Sequence, residues 1–384
     1  MLSYPWVYLL FPLAGLVIAF AAVWGHLRFW VARLSLPLPY AVEEVLQTQD
    51  GARIELRRVP RPGDGATRSG LPPVLLVHGL AANHRNQDLH PDCSLARHLA
   101  ASGRDVWLLT LRSGRALRWA ERKQARFAAM TQHDLPLAVD TILARTGQRR
   151  LDYVGFSMGG MLLYAAIARS VAPEKVRRAV FVGSPGRVAP NRLLRLIPPA
   201  IVPGIPFRFL ARMVAFASEW LSTPLHHAVA NPRNFAPGMM RLILVNVVED
   251  VPAALNRDFF TWAKGDGEIL VDGKRALDGL ADLAVPALFI AGSADRVAPV
   301  ASVRCAFEAW GHHRPSTPKR LLELGQGGGA HADYGHGDLA VGAYAADELF
   351  APIARFLEEA DPEDAPEAAV EAAEEQGLPA SPVA

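Results

Sequence analysis

Residues 151–160 constrain this chain more than any others. Leu151-Asp-Tyr-Val-Gly155 is an apolar run of strand character that passes without a spacer into Gly155-Phe-Ser-Met-Gly159, and Met161 to Ala168 follows with helical spacing. A strand that reverses into a helix within one or two residues needs glycines beside the turn, because side chains there collide with the neighbouring strand and helix. Such a turn lifts one hydroxyl, that of Ser157, above the C-terminal edge of a sheet. It also aims the Met158 N–H at whatever bonds to that hydroxyl. The five-residue pattern alone is a common chance match; here the buried strand before it and the helix after it are both present.

Further apolar runs read as strands buried on both faces: Pro73–His78, Asp105–Thr110, Val180–Val182, Ala287–Ala291 and Arg320–Leu324. Helical spacing marks Leu95–Ala101, Leu135–Arg145 and Tyr344–Leu357. Val42–Arg58 alternates on either side of Asp50-Gly51, a hairpin signal. Strands alternating with helices predict an α/β class: a mostly parallel sheet with helices on both faces. The rhythm breaks between Pro185 and about Asp282, where prolines stand at 185, 190, 198, 199, 203 and 206 among apolar residues such as Leu193, Leu196, Ile201 and Phe209. This stretch is read as an inserted, mainly helical cap over the sheet. Its apolar residues either receive an acyl chain or form the cap's own core, and the sequence leaves both readings open. The predicted organisation is therefore an N-terminal membrane anchor and juxtamembrane segment (1–38), a core (39–185 and 283–357), a cap or lid (186–282) and a disordered acidic tail (358–384). The tail holds nine acids and no Lys or Arg, so the formal net charge of +2 conceals a distinctly basic body. No basic run with interleaved aromatics occurs, which argues against a nucleic-acid partner.

The first 25 residues carry no charged side chain, and Pro5–Trp24 is long enough, about 30 Å as a helix, to cross a bilayer core. Trp6 and Tyr8 stand near one end, Trp24 and Trp30 near the other, as interfacial aromatics do. A mean hydropathy of +0.13 fits a membrane-attached protein. A cleaved signal peptide and a buried core helix are the alternatives; the absence of Lys or Arg before the run and its length favour an uncleaved anchor. Arg28, Arg33, Arg53, Arg57 and Arg58 follow the span, so the positive-inside rule predicts a single-pass cell-membrane protein with its body in the cytoplasm.

A serine hydroxyl is a weak nucleophile at neutral pH and needs a base, which in turn needs an orienting acid. In a strand–elbow–helix architecture these follow in the order Ser, Asp or Glu, His. Asp295 lies just past the Ala287–Ala291 run, in a loop where catalytic groups collect; its plain alternative is a turn-capping aspartate. Beyond Arg320–Leu324 comes the glycine-rich stretch Gly325–Gly329 and then His331, the predicted base, with His336 as its rival. His331, Asp333, His336 and Asp338 lack zinc-protease spacing, and no Lys-Ser/Thr follows the glycines, so no metal, phosphate loop or cofactor is expected. His78-Gly79-Leu80 closes an earlier strand. Gly79 permits close backbone approach, and the Leu80 N–H is the expected second oxyanion donor beside that of Met158. Gly155, Gly159, His78 and Gly79 are the supporting residues. Cys93 and Cys305 exclude a disulfide scaffold.

These residues together resemble the α/β-hydrolase-fold serine esterases and lipases. Pro72–Leu80, Asp105–Leu108, Asp134–Gly160 and His331–Tyr334 with Gly337-Asp338 look like the acid-lipase and polyhydroxyalkanoate-synthase-like hydrolase branches. The resemblance covers roughly residues 40–357 and is weakest through the insertion. It implies a carboxylic ester hydrolase with the residue roles given above. The polyester synthases carry cysteine at the elbow; Ser157 departs from them and points to hydrolysis rather than polymerisation. An acyltransferase or thioesterase on the same triad, and a non-catalytic binding protein of this fold, are the competing readings. A small-molecule ester or lipid is the expected partner; the oligomeric state is left open.

Overall fold

A computed structural model describes residues 7–61, 71–115, 117, 121–220, 227 and 229–360. Of the predicted disordered tail, 358–384, Glu358 instead ends a helix and Glu359 pairs with Arg320, whereas residues 361–384 lie outside the described residues.

Among the described residues, eight strands form one sheet in the order β1-β2-β4-β3-β5-β6-β9-β10. The hairpin around Asp50-Gly51 gives β1 (Val42–Gln47) and β2 (Arg53–Arg58), paired antiparallel. β2 also runs antiparallel to β4 (Val106–Thr110). From there β4, β3 (Val74–Val77), β5 (Leu151–Phe156), β6 (Val176–Val182), β9 (Ala287–Gly292) and β10 (Lys319–Leu324) are all parallel.

The apolar runs of the inner strands are continuous because both sheet faces are covered; β10 departs from the expectation, since at the sheet edge only its Leu324 is buried. Leu75, Val77, Trp107, Leu109, Tyr153, Phe181 and Phe289 point to one core cluster, whereas Val74, Leu76, Val106, Leu108, Val154, Val180 and Ile290 point to the other. This is the alternation that a pleated strand imposes. On the first face pack α4 (Leu135–Thr146), α5 (Met158–Ala166) and α9 (Val300–Ala309); on the second pack α2 (Leu95–Ala101), α10 (Asp338–Val341) and α11 (Ala351–Glu358). The one-turn α3 (Phe127–Ala129) enters α4 through a π-helical turn, Met130–Asp134. Asp152 of β5 is fully buried and held by Arg104 and Arg177; Arg104 also donates to Leu357 O at 3.0 Å, at the end of α11.

The described residues of 186–282 add no strand to the large sheet. They contain α6 (Phe207–Val214), α7 (Met239–Asn246), α8 (Ala253–Lys264) and a small hairpin, β7 (Leu270–Val271) with β8 (Lys274–Arg275). At the other end of the chain α1 (Val7–Leu34) is a 28-residue helix. By length and composition its Phe11–Leu34 stretch is apolar enough to cross a membrane. Among the described residues its last part meets the rest of the molecule: His26 meets Met213 O at 3.1 Å, Trp30 stacks on Phe216, and Asn246 donates to Leu34 O while accepting from the Leu36 N–H.

Candidate active site

Ser157 stands between β5 and α5 with φ 51° and ψ −118°, a conformation that costs an ordinary residue roughly 1–3 kcal/mol. The surroundings enforce it. Its N–H donates to Val182 O on β6 at 2.8 Å, and the buried Tyr153 hydroxyl donates to Gly159 O at 2.6 Å from beneath. A Cβ on Gly155 would come within 2.5 Å of the Gly160 nitrogen, and one on Gly159 would overlap the Val77 carbonyl. The helix therefore begins at Met158, three residues earlier than helical spacing alone suggests. The Met158 N–H is the first of the N-terminal donors that an α-helix leaves without an internal partner.

Asp295 follows β9. Its Oδ1 accepts from the Val297 and Ala298 N–H groups, both at 2.8 Å, which fixes the loop. Its Oδ2 lies 2.7 Å from His336 Nδ1, and its side chain is fully buried. One carboxylate oxygen thus does the work of a turn aspartate while the other faces an imidazole. His336 Nε2 lies 2.9 Å from Ser157 Oγ. The carboxylate requires a proton on Nδ1, which leaves the Nε2 lone pair to accept from the serine hydroxyl.

The structure thus corrects the expectation that His331 is the base. His331 is two-thirds exposed, its Nδ1 sits 2.6 Å from Glu348 Oε1, and its ring stacks on Tyr344 at 4.4 Å. Its backbone N–H also donates to Glu348 Oε1, so the residue is anchored to the final helical segment and away from Ser157. Five residues further on, the chain has come back over the elbow. What brings it there is Asp338, whose Oδ1 accepts from the Asn231 N–H and whose Oδ2 accepts from Asn234 Nδ2 and the Gly335 N–H, all within 3.0 Å. Burial pushes the Asp338 carboxyl pKa up, against the pull of these donors. The Gly337 N–H donates to Val229 O at 2.8 Å. Residues 229–234, far away in sequence, therefore hold the histidine loop, and sequence inspection assigned them no such part.

His331, Asp333, His336 and Asp338 do not converge. Asp333 Oδ1 accepts from Ser293 Oγ and the Gln326 N–H, both at 2.9 Å, and the other three have the partners just given. Among the described residues no group of three His, Cys, Asp or Glu side chains is arranged to hold a metal ion. Cys93 and Cys305 are not joined. His313 pairs with Asp282 at the surface, and His226 lies outside the described residues.

The segment after β3 passes close beneath the nucleophile. A Cβ on Gly79 would sit 3.1 Å from Ser157 Cβ and from the Phe156 ring. His78 is buried and holds this segment to the one after β4: Nδ1 donates to Gly79 O at 2.8 Å, and Nε2 accepts from the Leu111 N–H at 3.1 Å. Burial lowers its pKa to about 4, so it stays neutral at pH 7. Leu80 follows, half-buried, and then Ala81 at φ 56°. The inserted segment is fastened here: the Glu249 N–H donates to Ala81 O at 2.9 Å, and Asn83 Nδ2 donates to Glu249 Oε1 at 3.1 Å. A hydroxyl, an imidazole and a carboxylate in series, beside the N-terminus of a helix, form an arrangement suited to acyl transfer through a covalent intermediate.

A profile of the alpha/beta hydrolase fold matches residues 72–328. Gastric triacylglycerol lipase from Homo sapiens is 35% identical over 144 residues, which is 34% of this chain and 35% of that protein. Lipase member K from Mus musculus is 35% identical over 158 residues, covering 38% and 39%. The chain thus spans little more than a third of the length of the curated relatives it matches. Among solved structures, one described as a membrane phospholipase A, a bacterial virulence factor, superposes with a TM-score of 0.52 at 18% identity, covering 92% of this chain and 96% of that one. An esterase from Exiguobacterium antarcticum superposes with a TM-score of 0.52 at 14% identity, covering 83% and 100%. At these identities the likeness is one of fold.

Proposed function

The chain belongs to the alpha/beta hydrolase fold family, and from that premise we propose that it is a membrane-anchored serine hydrolase that cleaves carboxylic esters of lipid-like or medium-chain acids. The observation that carries this reading is the hydrogen-bonded series Ser157 Oγ, His336 Nε2, His336 Nδ1, Asp295 Oδ2, at 2.9 and 2.7 Å. Ser157 Oγ attacks the ester carbonyl carbon while His336 Nε2 takes its proton. Asp295 keeps the imidazole in the required tautomer and stabilises the imidazolium. The Met158 and Leu80 N–H groups receive the oxyanion, each such donor being worth about 3 kcal/mol. Collapse expels the alcohol, which takes the proton from His336. Water, activated by the same nitrogen, then releases the acid and restores Ser157.

The lipid-like substrate class is supported by the apolar character of residues 186–282 and by α1. We read α1 as an uncleaved anchor because its final turns are built into the fold: His26, Trp30 and Leu34 all have partners in the cap. The charge-free run ends at Gly25, and Arg28 and Arg33 follow it. That asymmetry favours a cytoplasmic body. Gastric lipase and lipase member K, named as lipases, agree with the chemistry proposed here.

Purified full-length protein labelled with a fluorophosphonate, and assayed on p-nitrophenyl esters of increasing chain length, tests the reading. Labelling that disappears in Ser157→Ala, with hydrolysis that improves beyond acetate, is the expected result. Labelling that survives Ser157→Ala, or none at all, would overturn it.

A further inference from the structure

Helix α6 is amphipathic with its faces reversed. On its wheel Phe209, Leu210, Met213 and Val214 form one apolar arc, and Phe209, Leu210 and Val214 are 48%, 49% and 45% exposed. Its two arginines point the other way, into the protein: Arg208 to Glu249 at 3.5 Å and Arg212 to Val245 O at 3.3 Å. A helix at a water boundary buries its apolar stripe and wets its charges. This one does the opposite, and the segment leading into it exposes Leu196 at 93% and Ile201 at 69%.

The position of α6 identifies the medium it faces. Half-buried residues recur along the end of α1 at Val23, His26, Leu27, Trp30, Val31 and Leu34, the i, i+3/i+4 spacing of a docked stripe, whereas residues 11–22 are exposed throughout. His26 is the first residue beyond the charge-free run, and its ring bonds to Met213 O in the last turn of α6. Residues 7–25 span about 28 Å, the thickness of a hydrocarbon core. The last turn of α6 is thus level with the point where the span leaves the acyl chains, and Arg28 and Arg33, both exposed, are level with the headgroups.

We propose that α6 is an interfacial helix whose Phe209–Leu210–Val214 face is seated in the acyl-chain boundary of the same phospholipid leaflet that α1 leaves, so that the cap meets its substrate from within the membrane. This rests on reading α1 as a span, and it assigns the exposed cap face to lipid rather than to a protein. The depth of a helix lying in this way, about 5–10 Å, suits side chains of this length.

The test uses the full chain, with Cys305→Ser removing the half-buried thiol, reconstituted in phosphatidylcholine–phosphatidylglycerol vesicles. Bimane is attached at Leu210→Cys, at Phe20→Cys within α1, or at Ser316→Cys in the turn before β10. Doxyl-labelled phosphatidylcholine then serves as quencher. Quenching at 210 and 20, at least threefold above that at 316, supports the proposal. Quenching at 20 alone overturns it and leaves the anchor standing; quenching at neither overturns both. Emission at 210 that is insensitive to doxyl lipid but blue-shifts as protein density rises assigns the face to a second copy, and also overturns it. As a second readout, Leu210→Asp/Val214→Asp should lower the rate on a vesicle-embedded ester five- to tenfold and leave that on a soluble short-chain ester within twofold. Equal loss on both substrates counts against the proposal.

Discussion

Replacing His336 with alanine removes the acceptor 2.9 Å from Ser157 Oγ and leaves the fully buried Asp295 Oδ2 without its imidazole partner. In the proposed mechanism both contributions, proton removal and imidazolium stabilisation, vanish together. Disabling a base of this kind costs at least about 10⁴ in kcat, or some 5.5 kcal/mol of transition-state stabilisation. The matched change at the first histidine after the glycine-rich loop is expected to do almost nothing. His331 is two-thirds exposed, its ion pair with Glu348 is of the surface kind worth at most about 1 kcal/mol, and Glu348 retains the Tyr334 hydroxyl at 2.6 Å. Stopped-flow release of p-nitrophenol from an acyl ester, with thermal melts of all three proteins, gives the comparison. The expected outcome is His336→Ala reduced at least 10⁴-fold and His331→Ala within about twofold of the parent, both folded. A His331→Ala enzyme that is dead beside an active His336→Ala would refute the geometric argument outright.

Three further outcomes follow from the same contacts. Asp295→Asn should lower kcat by roughly 10⁴ with little change in KM, because an amide favours the wrong imidazole tautomer; steady-state kinetics with a fluorophosphonate labelling rate checks this. Asp152→Asn leaves Arg104 and Arg177 buried without their carboxylate and should cost about 3–5 kcal/mol in urea unfolding, with an unchanged midpoint as the contrary result. His78 has its folded pKa lowered to about 4 from an ordinary 6.5. The unfolded chain therefore binds more protons between those values, and stability present above pH 6.5 is lost as pH falls toward 4, by up to about 3 kcal/mol. His78→Gln should flatten the Tm-versus-pH curve in that window, and a curve of unchanged slope would show that another group is responsible.

The central strands were readable because a buried parallel strand has apolar residues on both sides of its pleat, and here those runs are short and bounded by turn residues. The elbow was readable because its constraint is local: Gly155, Ser157 and Gly159 interact with residues within a few positions and with the adjoining strands. The histidine was not. Proximity to β10 favours His331, but a loop's path is set by its partners, and those of His336 come from Asn231 and Asn234 through Asp338. Nothing local in residues 325–338 encodes that contact. The Gly335-His336-Gly337-Asp338 sequence, with a carboxylate placed to fasten a tight turn, was the available clue. Helix α9 went unassigned although Val300, Val303, Ala306 and Phe307 fall on one face, and the last predicted helix begins as a π-helical turn at Ala346–Phe350. The arginine pair on Asp152 was invisible for the same reason as the histidine loop: its members meet only in space.

The stitching of Glu249 to Ala81 and Asn83 bears on how an ester gets in. Residues 248–249 are pinned to the strip of backbone that carries Leu80, and residues 229–234 are pinned to the loop that carries His336. Shifting the inserted segment at either seam would drag one of the proposed reacting partners out of register with Ser157. Whatever doorway serves this site has to open while both seams stay in place, so mutations that loosen the two seams should damage chemistry rather than widen entry.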